Sequence, residues 1–183
     1  MPLRTALLAL PLILAACSEA VVEPQGIVAD DTLTQGGTVC PEAYRLSLAD
    51  YFETGLPAPS DDFLEQNAER DGIVLADSGL QFRVVQEGLE DGVTPDLDQE
   101  TEVHYHGYFP NGKVFDSSDE RNQTVSFAPS RVIPGWTEAL TGMKVCEART
   151  LYVPYDLAYG VGGTQGIPPR STLLFNVQVL SVQ

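Results

Sequence analysis

From Leu80 onward the apolar residues of this chain recur at every second position, the period a half-buried strand requires. Leu80, Phe82 and Val84 alternate with Gln81, Arg83 and Val85, and Val103, Tyr105, Gly107 and Phe109 alternate through Thr101 to Phe109. Asn111-Gly112 follows at once. Both residues accept positive φ, so the pair predicts a tight hairpin turn, and Val114-Phe115 restarts the chain as a strand. Val125 to Phe127 and Thr150 to Val153 are further short strands, and Leu173, Phe175, Val177 and Val179 form one face of a last one. One segment in this half has the helical period instead. Pro134-Gly135 opens a short helix with Trp136, Leu140 and Met143 on its inner face and Gly142 near its end. Several antiparallel strands and one apolar helix face predict an α+β fold: an antiparallel β half-barrel wrapped around one short helix.

The first half of the chain reads differently. Residues 1–16 form a leader: Arg4 supplies a positive charge, and the apolar run Thr5 to Leu14 is too short to span a bilayer as a helix. Leu14-Ala15-Ala16-Cys17 resembles a bacterial lipobox, in which the Cys thiol is acylated and becomes the first residue of the mature chain. The competing reading is an ordinary signal peptide with Cys17 incidental. Each buried acyl methylene contributes ~0.8 kcal/mol, so two or more chains on Cys17 would hold firmly. Ser18 after the Cys leans toward the outer membrane, so the expected location is the cell envelope, lipid-anchored, at the periplasmic face of that membrane.

Residues 17–37 carry Pro24, Gly26, Gly36 and Gly37 with no apolar period, and read as a flexible tether. Residues 38–77 read as a segment of short helices. One is expected over Pro41 to Phe52, where Tyr44, Leu48 and Tyr51 share a face. A second is expected over Asp61 to Arg70, with Ser60 as its N-cap, acidic residues in its first turn and Gly72 closing it. Residues 78–183 are then the domain proper. Without the leader two cysteines remain, Cys40 and Cys146. An even pair in an oxidising compartment invites a disulfide, and two free thiols are the alternative.

The charge balance excludes some partners. Lys plus Arg number 10 against 26 Asp plus Glu, a formal net charge of −16, so neither nucleic acid nor an anionic lipid surface is an expected partner. No metal site and no cofactor is expected either. His104 and His106 project from one strand face without a neighbouring Cys, Asp or Glu to complete a ligand set. No Ser sits in a Gly-x-Ser-x-Gly elbow, and Gly160-Val161-Gly162-Gly163 lacks the Lys-Ser/Thr of a phosphate loop, which leaves it as a loop over a site.

What remains is a set of aromatic residues beside turns. Val103-His104-Tyr105, Gly112-Lys113-Val114-Phe115-Asp116-Ser117-Ser118, Val132-Ile133-Pro134-Gly135-Trp136, Leu157-Ala158-Tyr159-Gly160 and Ile167-Pro168-Pro169 occur in that order. Together they resemble the FKBP-type peptidyl-prolyl cis/trans isomerases over roughly Ser78 to Gln183. Phe63-Leu64-Glu65 to Ser78-Gly79-Leu80-Gln81 is similar to the bacterial macrophage-infectivity-potentiator branch. The resemblance implies a prolyl pocket with Trp136 as floor and Tyr105, Phe127 and Phe175 as walls, joined by Phe115, Val132, Ile133 and Ile167. Asp116 and Tyr159 would supply a polar edge, the Ile133 amide a hydrogen bond, and Arg121 a neighbour for Asp116. It implies proline-containing polypeptides as substrates, and macrolides as ligands. Val125 stands where several eukaryotic members carry Phe, which bears on macrolide affinity more than on activity. Two other functions stay open: a holdase that captures apolar segments, and an FKBP scaffold used for protein contact alone.

Overall fold

The computed structural model describes residues 38–51 and 53–183; the leader, the tether and Cys17 lie outside them. Seven strands form one antiparallel sheet: β1 (Val74–Leu75), β2 (Gln81–Gln86), β3 (Thr101–Tyr108), β4 (Val114–Ser117), β5 (Val125–Phe127), β6 (Ala148–Val153) and β7 (Leu173–Val182). Their spatial order is β1-β2-β6-β7-β3-β4. The edge of β3 away from β7 is shared, with β5 against Thr101–Val103 and β4 against His106–Tyr108. A bulge between Gly107 and Tyr108 bends the strand beside β4.

Helix α2 (Pro134–Leu140) lies in the concavity of this sheet, as the apolar stripe Trp136, Leu140 and Met143 requires. Pro134 opens it, where the missing N–H costs nothing. Gly135 lets it rest on β6, because a Cβ there would stand 2.6 Å from Val153 Cγ1. Leu151, Val153, Phe175, Val177 and Val179 close the core around the helix.

The convex face is covered as well. Every residue of β7 is buried, although Asn176, Gln178 and Ser181 carry polar side chains. Residues 38–51 run across this face as a strap. Val39 pairs with Ser181, and the Cys40 amide donates to Leu180 O. Gln178 Nε2 donates to Tyr44 O at 2.8 Å, and its Oε1 accepts from the Leu46 amide at 2.9 Å. Asn176 Nδ2 donates to Leu48 O and Tyr51 O. The helix expected over Pro41 to Phe52 is therefore not formed. A 3-10 turn at Glu42–Tyr44 is followed by irregular backbone whose polar groups are met largely by side chains of β7, with the Ala49 amide donating to Asp119 and the Tyr51 amide to Leu48 O. Leu48 supplies the burial its spacing promised, without the helix.

Helix α1 (Phe63–Ala68) is shorter than the Asp61 to Arg70 expected. Ser60 is not its cap. Its hydroxyl donates to Ala58 O, and Asp62 stands at the N-cap position without a capping bond, its carboxylate accepting from Gln66. Phe63 from α1 joins Tyr108, Tyr152 and Leu174 in a second, smaller apolar cluster on the convex face. Beside it the Glu53 carboxylate, 2% exposed, pairs with Arg70 at 2.8 Å and Arg83 at 2.9 Å, and accepts a hydrogen bond from Tyr152 OH. Cys40 and Cys146 are joined by a disulfide across 106 residues of chain.

Candidate functional site

Between α2, the concave ends of β3, β4, β5 and β7, and the loop following β6 lies a cavity of about 660 Å³. Trp136 stands 5% exposed at its base, with three rings around it. Tyr105 and Phe175 meet the indole edge-on, with centroids at 5.3 and 5.1 Å, and Phe127 tilts against it at 5.6 Å. Phe115 then packs edge-on against Phe175 at 5.4 Å. These are favoured quadrupolar arrangements, so each wall fixes the orientation of the next. Gly107 makes the arrangement possible, since a Cβ on it would lie 2.8 Å from the Phe115 ring and 3.1 Å from Phe175.

One edge of the cavity is polar. Tyr105 OH donates to Asp116 Oδ2, and Arg121 Nη1 donates to Asp116 Oδ1 at 2.5 Å. Burial alone would raise the Asp116 carboxyl, but the bonds from Tyr105 and Arg121 outweigh it and hold it below the usual carboxylate range. Burial, and then the bond to Asp116, push the Tyr105 phenol up. Both groups thus keep one charge state across the neutral range: a carboxylate, and a neutral hydroxyl already committed to it. They form a fixed dipolar rim and not a proton relay.

Of the residues singled out in the sequence, Tyr105, Phe115, Asp116, Val125, Phe127, Val132, Ile133, Trp136, Tyr159, Ile167 and Phe175 all line this one cavity. Arg121 does not. It grips Asp116 from outside, with its side chain 47% exposed. Tyr159 is 43% exposed at the mouth. The loop carrying it is fixed at its ends, with the Gly160 amide donating to Tyr155 O and the Arg170 amide to Gly160 O. Thr164 and Ile167 exchange backbone hydrogen bonds within it, and Gly163 comes so close to Ile167 O that a Cβ would stand 2.4 Å away.

Sequence reasoning missed Arg131, Thr164, Gln165 and Gly166, which also line the cavity. None has an apolar period or a ring to mark it; adjacency to Val132 and Ile167 is the only signal they carried. Trp136 Nε1 is buried without a hydrogen-bond partner. His104 and His106 face away from Tyr105, with their Nδ1 atoms 3.1 and 3.0 Å from Ser118 and Ser117 Oγ. Among the described residues no three His, Cys, Asp or Glu side chains are grouped to hold a metal.

A half-barrel closed on a short helix, with an aromatic cup whose floor is an indole and one dipolar edge, defines the class of domain by its fold and its cavity. Comparison with known proteins specifies the class further. The family model for FKBP-type peptidyl-prolyl cis-trans isomerase matches residues 91–180. The chain is 45% identical over 121 residues to the FKBP-type 22 kDa peptidyl-prolyl cis-trans isomerase of Escherichia coli, covering 66% of this chain and 58% of that one. It is 40% identical over 129 residues to the outer membrane protein MIP of Legionella longbeachae, covering 69% and 54%. The crystal structure of a peptidyl-prolyl cis-trans isomerase from Pseudomonas syringae pv. tomato superposes with a TM-score of 0.61 at 31% identity, over 66% of this chain and 87% of that one. The chain belongs to the FKBP-type peptidyl-prolyl cis-trans isomerase family. It spans little more than half the length of the two curated relatives named here.

Proposed function

We propose that this chain is a peptidyl-prolyl cis/trans isomerase that rotates Xaa-Pro bonds in exported polypeptides. The observation that carries the reading is the aromatic cup on Trp136, of a size and polarity suited to a prolyl ring and offering no nucleophile at its base.

The reaction needs no covalent step. A peptide bond resists rotation because its nitrogen lone pair is conjugated with the carbonyl, a barrier of ~18–20 kcal/mol. Xaa-Pro bonds populate both isomers, so the substrate exists in quantity. In the twisted transition state conjugation is lost and the carbonyl carries less charge. A water-poor apolar cup therefore binds that state better than the planar amide. Lowering the barrier by ~7 kcal/mol gives an acceleration of ~10⁵.

In this reading Trp136, Phe127, Phe175 and Tyr105 seat the ring, and Phe115, Val132 and Ile167 exclude water. The Ile133 amide at the start of α2 offers the flanking chain a hydrogen bond. Asp116, fixed by Arg121, orients the peptide together with Tyr159. Val125, smaller than an aromatic, loosens one wall, which bears on macrolide affinity and substrate preference more than on activity.

We further propose that residues 1–16 are a lipoprotein leader, that Cys17 is acylated and that residues 17–37 tether the domain of residues 38–183 to the membrane. The outer-membrane name of the Legionella relative supports an envelope location. The test is isomerisation of a short Xaa-Pro peptide by residues 38–183, wild type beside Asp116→Ala and Trp136→Ala. Acceleration by the wild type, with kcat/KM lowered about tenfold or more in both folded variants, is the expected result. A folded wild type without acceleration overturns the catalytic reading in favour of a binding role.

A further inference from the structure

A second cavity, of about 760 Å³, lies behind one wall of the first. The two are separated by single side chains. Phe115 lines the first and Phe109 the second, with their ring centroids 5.0 Å apart, and consecutive residues Ile167 and Pro168 face opposite ways across the same partition. The far side of the second groove is built by Pro59, Ser60, Asp61 and Leu64, from the segment that precedes the barrel. Proline-rich and aromatic lining suits an extended chain.

Charge says what kind of chain. In a molecule of net charge −16, six of the nine Lys and Arg side chains among the described residues are engaged. Arg45, Arg70, Arg83, Arg121 and Arg149 are ion-paired, and Lys144 Nζ donates to Glu90 O. Lys113, Arg131 and Arg170 are the cationic side chains left with no ion pair or side-chain hydrogen bond among the described residues. All three line the two cavities, Arg131 the first, Lys113 and Arg170 the second. Asp61 is the one carboxylate on the second groove, so two cations face one anion there. Arg170 is held with φ at +56°, a backbone conformation that costs an L-residue energy. Elsewhere the net negative field repels an acidic segment; here its local sign is reversed.

Resting on the isomerase reading above, we propose that the second groove is an exosite for acidic residues flanking the target proline, with Lys113 and Arg170 as its specificity-determining side chains. A client chain with its prolyl ring on Trp136 passes over the Phe109–Pro168 partition and lays its carboxylates against these two cations. The enzyme then favours proline sites embedded in acidic sequence, which its own surface charge would otherwise turn away.

The test compares a fluorescent Ala-Leu-Pro-Phe peptide unextended, and extended on either side by four glutamates or four glutamines, at low salt. Wild type is set beside the double variant Lys113→Ala/Arg170→Ala. The expected result is a kcat/KM about fivefold higher for one glutamate-extended peptide than for its glutamine counterpart, an advantage abolished in the double variant and in high salt. The unextended peptide is turned over equally by both proteins. Equal rates on glutamate and glutamine peptides, an advantage that survives in the double variant, or a slower unextended reaction in that variant overturns the proposal. If the wild type turns over no peptide, the catalytic reading has failed. Fluorescence anisotropy on the same peptides then decides the groove separately: tighter binding of the glutamate form, lost in the double variant, supports it, and no difference refutes it.

Discussion

Asp116 illustrates how far single residues could be read. Its motif, Val114-Phe115-Asp116-Ser117, marked it in the sequence through the family resemblance, which also gave Arg121 as its neighbour; that Tyr105 donates to the same carboxylate needed three dimensions. The consequence is a pH dependence. Because the folded pKa is depressed, the stabilisation carried by the ionised form is fully present above the unfolded value of about 3.9 and is lost as pH falls through the folded value. Tyr105 shifts the opposite way and stays neutral past its ordinary value of about 10. The rate of peptide isomerisation should therefore be level from about pH 5 to pH 9. An acid limb should appear only below the ordinary carboxylate range, and Asp116→Asn should lack it. A rate that titrates near neutrality in the wild type would show that another group controls it. The rings were legible because size and apolarity are written in the residue itself. Arg131 was not, because an exposed cation looks the same at a cavity rim as on any surface.

At the scale of elements the sequence was most legible where the hydrophobic period had one partner to face. The strands Val125–Phe127 and Leu173–Val182, and α2 from Pro134, emerge close to where alternation and the Pro signal put them. The strap was misread because Tyr44, Leu48 and Tyr51 satisfy a helical spacing, while the groups that claim its backbone, Asn176 and Gln178, sit more than 120 residues away. Those two look like the solvent face of an amphipathic strand until the strap is laid over them. Glu53 is the pin of this covering. Glu53→Gln leaves Arg70 and Arg83 without their shared partner in a largely dry setting, and should cost about 3 kcal/mol in urea-unfolding free energy. Arg83→Met should cost clearly less, since Arg70 still neutralises the carboxylate. Equal losses for both would mean that the cluster is solvated and holds nothing.

For the whole molecule, local pattern gave the class, an α+β half-barrel on one helix, but not the order β1-β2-β6-β7-β3-β4, which joins strands distant in the chain and leaves no local trace. The disulfide belongs to this scale too. Parity and compartment suggested it, and its value is set by the 106 residues it encloses. A crosslink around so long a loop restricts the unfolded chain by about 5 kcal/mol in the entropic account. Reduction, or Cys40→Ala with Cys146→Ala, should accordingly lower the Tm by roughly 10 °C or more while the native cavity still turns over peptide. An unchanged Tm would mean that the strap holds through its hydrogen bonds and apolar contacts alone. The same bond also sets a path for force. A pull applied upstream of Thr38 peels a few residues from the end of β7 and arrives at Cys40, where it crosses directly to Cys146 at the entrance to β6. For any load shared with the C-terminal strands, the intervening strap, α1, the first five strands and α2 hang as a slack loop outside the tensioned path. Tyr105, Phe127 and Trp136 then sit in the unloaded loop, and of the rings packed on the indole only Phe175, in β7, lies on the loaded path.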